Sequence, residues 1–181
     1  MNQGERLNIV FIGNRQAGII GAITALAKGH TITTAVAYNE DLKNVLESLS
    51  VEVCGHSVKN ERLKAAADQA DVLLSVHGRE IVKPDLLERT RFGGINAHPY
   101  LYKYKGADPD GRAFRDGEYN ASVGVHRMVE KVDAGEVLVE EFVDVSDAQS
   151  VLDIYNRLYP YYSIAVGKAL DIVSKRLRED A

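Results

Sequence analysis

The chain has 181 residues, with 22 basic and 26 acidic side chains and a formal net charge of −4. This length suits one domain, or one domain with a short extension, and the lack of a basic excess argues against a module built on the nucleic-acid backbone, while a local RNA-contacting patch stays open. No apolar run approaches a membrane span, residues 1–7 are polar and charged rather than a secretion signal, and the single cysteine, Cys54, excludes an internal disulfide framework and a cysteine-cluster zinc site, so a reduced, cytoplasmic setting is expected.

Residues 8–12 form an apolar run that stops at Gly13, the pattern of a buried parallel strand. Residues 17–28 carry Ile19, Ile20, Ile23 and Leu26 at helical spacing, and the β-branched stretch 31–37 predicts a second strand. A short amphipathic helix follows at 40–49, a brief third strand at 51–53, an alanine-rich helix at 61–69 and a strong fourth strand at 71–76. Pro84 opens a helix over 84–90, and 94–97 is a short strand before His98-Pro99. Such alternation predicts an α/β fold with a mostly parallel, twisted sheet and flanking helices. Beyond Tyr119 the character changes. Segments 121–126 and 136–145 read as strands that could join the same sheet, separated by the turn Asp133-Ala134-Gly135. Residues 147–178 are helical in pattern but interrupted by Pro160, which predicts two helices or one kinked helix. The organisation expected is a core over 1–146 and a helical extension over 147–181 that packs on it. Its apolar side chains, among them Leu152, Tyr155, Leu158, Tyr159, Tyr162, Ile164, Val166 and Leu170, serve either that packing or a homodimer contact.

An open parallel sheet takes its ligand at the carboxyl ends of its strands. The first such end, Gly13-Asn14-Arg15-Gln16-Ala17-Gly18, is neither a dinucleotide fingerprint nor a P-loop. Helix-start amides and Arg15 could hold an anion there; a plain strand-to-helix turn is the equal alternative. The segment Gly93-Gly94-Ile95-Asn96-Ala97-His98-Pro99 is more informative. Pro99 holds His98 out of helical conformation, so Asn96 and His98, two apart on an extended chain, face one side. An amide can donate to an oxyanion and an imidazole can carry charge or move protons. Against this stands a turn-capping Asn96 and a core His98. Asp133, in a second turn, supplies a carboxylate able to orient His98.

Four stretches together, Asn96-x-His98-Pro99, Tyr104-Lys105-Gly106-Ala107-Asp108-Pro109, Val123-Gly124-Val125-His126-Arg127-Met128 and Lys131-Val132-Asp133-Ala134-Gly135, resemble the formyltransferase family. The resemblance is clearest over residues 71–145 and implies a Rossmann-like formyltransferase core. It also implies a catalytic triad at Asn96, His98 and Asp133, with 10-formyltetrahydrofolate as donor, a small-molecule primary amine as acceptor, and no metal. Asn96 and protonated His98 would stabilise the oxyanion, and Asp133 would keep His98 charged and help relay protons. The folate pocket would lie against the stretch from His77 through Arg79, Glu80, Ile81 and Val82, and against Val129 to Val132; His77 and Arg79 also read as a solvated loop. His126 reads as a buried strand histidine supporting the site. Many members read His-Pro-Ser-Leu-Leu-Pro-Lys-Tyr-Arg-Gly. Here the loop is His98-Pro99-Tyr100-Leu101-Tyr102-Lys103-Tyr104-Lys105-Gly106, one residue shorter, with Tyr100 in place of Ser. Asn14, Arg15, Tyr100 and Lys105 are therefore the expected acceptor contacts, the tyrosines serving as a stacking surface or as loop packing. The stretch after Asp133 is too short for the extra barrel of a tRNA formyltransferase. With the acidic balance, that favours an amino-sugar nucleotide acceptor over tRNA or glycinamide ribonucleotide. Hydrolysis of the donor, or ligand binding without catalysis, are the remaining alternatives.

Overall fold

Residues on β1 (Asn8–Gly13) alternate between two hydrophobic clusters, Ile9 and Phe11 entering one and Val10 and Ile12 the other. Side chains of a strand point alternately to opposite faces, so a strand covered on both faces must be apolar throughout. The computed structural model describes residues 6–181; the polar start expected at residues 1–5 lies outside the described residues. Seven described strands form one sheet in the order β3-β2-β1-β4-β5-β6-β7. β2 (Thr31–Ala37), β3 (Glu52–Val53), β4 (Val72–Val76) and β5 (Gly94–Pro99) run parallel with β1. β6 (Asn120–Arg127) and β7 (Val137–Asp144) extend the same sheet antiparallel. The mostly parallel α/β sheet expected from the sequence is the one observed.

Helices cover both faces. On one side α1 (Arg15–Ala27), α2 (Glu40–Ser48) and α6 (Val151–Glu179) contribute to the larger cluster. On the other, α3 (Glu61–Ala67) and α4 (Pro84–Leu87) bury Leu63, Ala67, Leu86 and Leu87. α1 lies close on the sheet because Gly21 has no side chain: a Cβ there would stand 2.7 Å from Val76 Cγ2.

The sequence did not announce α5 (Pro109–Asp116). It begins after Asp108 at φ 52° and ends at Gly117 at φ 67°, so Asp-Pro-Asp-Gly opens a helix in a stretch to which the sequence assigned no element. Nor does Pro160 divide the C-terminal stretch. α6 is continuous over 29 residues, started by the Ser150 side chain, which accepts from the Asp153 N–H. Pro160 is exposed, and Leu158, Tyr162, Val166 and Leu170 are buried in the main cluster. Tertiary packing outweighs the single hydrogen bond that proline removes. Of the apolar side chains that suggested a dimer contact, Leu152 and Ile164 stay exposed. No described helix is long and apolar enough to cross a membrane.

Candidate active site

The strand order reverses around β1, which lies between β2 and β4. A crevice at such a reversal, beyond the carboxyl ends of the strands, is where open α/β sheets take ligands. Here a cavity of about 520 Å³ opens at the ends of β1, β4 and β5, walled also by the loop after Gly106, the loop from Met128 to Asp133, and Tyr155 of α6.

β5 places Asn96 and His98 on the cavity side, and both line it. In the β5–β6 register Asn96 stands opposite His126, and its amide nitrogen is 3.4 Å from His126 Nε2. Every nitrogen of His98 faces an oxygen. Nδ1 is 2.7 Å from the Pro99 carbonyl. Nε2 is 3.1 Å from Asp133 Oδ2 and 3.1 Å from the Gly106 carbonyl. Asp133 Oδ2 also accepts the Gly106 N–H at 2.7 Å, and Oδ1 lies 3.3 Å from His126 Nε2.

Only a doubly protonated ring can donate from both nitrogens. Burial by itself would lower the proton affinity of His98. Asp133, with the Pro99 and Gly106 carbonyls, reverses that and raises it above the ordinary histidine value. Burial likewise favours a neutral Asp133, but the hydrogen bonds from His126, His98 and the Gly106 N–H hold its carboxyl far below the usual range. The pair is thus an imidazolium and a carboxylate, each buried and each satisfied.

The backbone that carries Asp133 is constrained. Its φ is 50°, and two residues on, a Cβ at Gly135 would overlap the Arg127 carbonyl oxygen. Five of the non-glycine residues at positive φ, Arg15, His77, Tyr100, Asp108 and Asp133, lie in or beside the cavity wall. Each such conformation costs on the order of 1–3 kcal/mol, and their concentration here marks a site held by its surroundings.

Most residues singled out from sequence come together. Asn96, His98, Asp133, Arg79, Glu80, Ile81, Val82, Val129, Val132, Asn14 and Arg15 all line the cavity. Ile81, Val129 and Val132 are exposed at its rim, an apolar edge with no protein cover. Glu80 also braces the fold. Its carboxylate accepts from the Tyr38 hydroxyl, the Ser57 hydroxyl and the Val58 N–H, fastening the loop after β4. His77 is no solvated loop residue. Its ring packs edge-on against Tyr155 and Tyr162, and Nε2 lies 2.5 Å from the Tyr162 hydroxyl. Burial, then the charges of His98 and Arg15, push its pKa down to about 4, so the ring is neutral.

Two expected acceptor contacts are placed elsewhere. Tyr100 is fully buried, packs against Tyr104, and donates to the Glu118 carbonyl at 3.3 Å. It offers no stacking face. Lys105 is exposed and outside the lining. Conversely, sequence reading missed Asp110 and Tyr155, both in the wall. Asp110 sits in a stretch to which the sequence assigned no element, and Tyr155 in what reads as an apolar helix face.

The model of the formyl transferase family matches residues 7–165. A methionyl-tRNA formyltransferase of Halalkalibacterium halodurans is 27% identical over 168 residues, covering 84% of this chain and 53% of that protein. The trifunctional purine biosynthetic protein adenosine-3 of Chironomus tentans is 28% identical over 174 residues, 96% of this chain and 12% of that protein. The chain thus spans about half or less of the curated relatives it matches. Among solved structures, glycinamide ribonucleotide transformylase 1 from Symbiobacterium toebii superposes with a TM-score of 0.80 at 17% identity, covering 97% of this chain and 90% of that one. That likeness is one of fold, and the family match embraces the strands and loops that carry Asn96, His98 and Asp133. By its sequence across nearly its whole length, the chain belongs to the formyl transferase family.

Proposed function

We propose that this chain transfers a formyl group from 10-formyltetrahydrofolate to the primary amine of a small acceptor, an amino-sugar nucleotide. The observation that carries the reading is His98, buried between the Asp133 carboxylate and the Pro99 carbonyl, with Asn96 beside it on the cavity wall. The donor suits the residues present. A flat heterocycle needs an apolar edge and backbone partners, and the rim offers exposed Ile81, Val129 and Val132 on the loops that flank the triad. Bound there, it supplies a formyl carbon whose oxygen gains negative charge as an amine adds.

The protein meets that charge with groups already oriented. Asn96 donates from its amide, and the imidazolium of His98 supplies positive charge in a wall shielded from water. Asp133 keeps His98 protonated without leaving its own hydrogen bonds. On the acceptor side, the side chains of Asn14 and Arg15 at the start of α1 suit the phosphates of a sugar nucleotide, and the net charge of −4 disfavours a polyanion as large as tRNA.

The test is direct. The purified chain is incubated with 10-formyltetrahydrofolate and a panel of amino-sugar nucleotides, with glycinamide ribonucleotide for comparison, and formylated amine is measured. Asn96→Ala and His98→Ala should each lower turnover about 10²–10³-fold and leave binding of a stable donor analogue in place. Full turnover by both variants, or no formylated product from any amine, would sink the proposal.

A further inference from the structure

Asp110 is the most anomalous polar group among the described residues. It is 0% exposed, and neither carboxylate oxygen has a hydrogen bond of normal geometry. The Tyr155 hydroxyl lies close enough to favour its charged form but does not satisfy it. A buried carboxylate whose neighbours do not fully satisfy it costs more than a well-paired one, so a native fold that keeps one calls for an explanation in what it meets during function. Asp110 belongs to the wall of the same cavity as the triad, in the first turn of α5.

The chemistry of amine formylation needs such a group. An alkyl amine near neutral pH arrives largely as an ammonium ion, which has no lone pair to attack with. Asp133 is poorly suited to deprotonate it, because both its oxygens are engaged and its proton affinity is held far below the ordinary value. His98 already carries both protons. Resting on the transfer reaction above, we infer that Asp110 is the catalytic group that docks the acceptor's ammonium and takes its first proton.

The step balances simply. R–NH₃⁺ and the Asp110 carboxylate become R–NH₂ and the Asp110 carboxylic acid. The freed nitrogen lone pair forms the bond to the formyl carbon, and the carbonyl pair moves to oxygen. The bond from that carbon to the donor nitrogen then breaks. The second amine proton ends on the donor nitrogen, and Asp110 returns the first to solvent. The surroundings of Asp110 fit a transient proton carrier. Burial, opposed by the Tyr155 hydroxyl, its own backbone N–H and the charge of His98, pushes its pKa up to about 6. The charged or titratable groups acting on it or on which it acts are His98 on β5, Asp108 before α5, Tyr100 after β5, and Tyr155, Tyr159 and Tyr162 on α6.

The decisive variant is Asp110→Asn, which keeps the shape and removes the base. It is assayed with 10-formyltetrahydrofolate and whichever amine the wild type formylates. At pH 7 kcat/KM should fall about 10²–10⁴-fold, with unchanged binding of the donor analogue. As pH rises towards the amine's own pKa the variant should recover, because the nucleophile then arrives deprotonated; a merely structural role would not produce this recovery. The melting temperature at pH 7 should equal or exceed that of the wild type, which separates lost chemistry from lost folding. Undiminished transfer at pH 7, or a deficit that is flat across pH, overturns the role of Asp110 while leaving the transfer reaction standing. A wild type that formylates no amine overturns both.

Discussion

At the scale of single residues, the coupling of His98 to Asp133 ties stability to pH in both directions. His98 binds its proton more tightly in the folded chain than in the unfolded one. Its contribution is therefore complete below the unfolded value of about 6.5 and is lost as pH rises through the folded value. Asp133 is depressed on folding, so its contribution is present above about pH 4 and lost as pH falls further. Asp133→Asn should cost on the order of 1–3 kcal/mol by leaving His98 without its anion. Measured as a difference in melting temperature from the wild type, that cost should be largest between about pH 4 and 6.5 and narrow on either side. An NMR titration of the same variant should show the His98 pKa falling below the ordinary histidine value of about 6.5, since burial is then unopposed by the carboxylate; a pKa that stays raised would show another group holding the charge.

At the scale of elements, the site depends on two connections, the loop after β5 and the turn between β6 and β7. The second brings Asp133 back to β5 only because Gly135 passes against the Arg127 carbonyl with no room for a side chain. Gly135→Ala should move that turn as a unit. Turnover should drop about tenfold or more while the β6–β7 pairs farther from the turn, Asn120 to Val125 against Val139 to Asp144, keep the fold's cooperative unfolding; a variant with wild-type turnover would show that the turn has slack. The same turn shows what a sequence makes legible. Asn96, His98 and Asp133 could be selected because strand period, proline restriction and turn chemistry each act locally. Tyr100 could not, since its burial depends on packing against Tyr104 and on a carbonyl eighteen residues away at Glu118. α5 was hidden for a related reason. Its cap residue, Asp108, adopts a left-handed conformation that its residue type tolerates but does not declare. Asp110 was invisible because being orphaned is a property of surroundings. Pro160 read locally left a break or a kink open, and the break does not occur: a helix whose buried face includes Leu158, Tyr162 and Val166 absorbs one missing hydrogen bond.

At the scale of the whole molecule, the cavity joins parts that are remote in sequence, from Asn14 to Tyr155. A ligand seated there ties α1, the loop after β4, β5, α5 and α6 together, so binding should be felt as global stability. A stable formyltetrahydrofolate analogue at about 100 times its dissociation constant should add about 2.7 kcal/mol and raise the melting temperature by several degrees. No rise at saturating analogue would count against the donor pocket.

The sheet has two rims, and each discourages a neighbour in its own way. β3 contributes only Glu52–Val53, too short a template for another chain to extend. β7 is long enough to recruit a stranger, with eight residues and Phe142 exposed. It also carries Glu140, Glu141 and Asp144. Glu141 pairs with Lys168 of α6 and Glu140 accepts from Ser122 and the Tyr102 N–H, so charged side chains flank the strand on both faces, and charge along an edge strand works against pairing with another chain. The strand that completes the fold therefore also carries the charge that works against its continuation into a ribbon of its own kind.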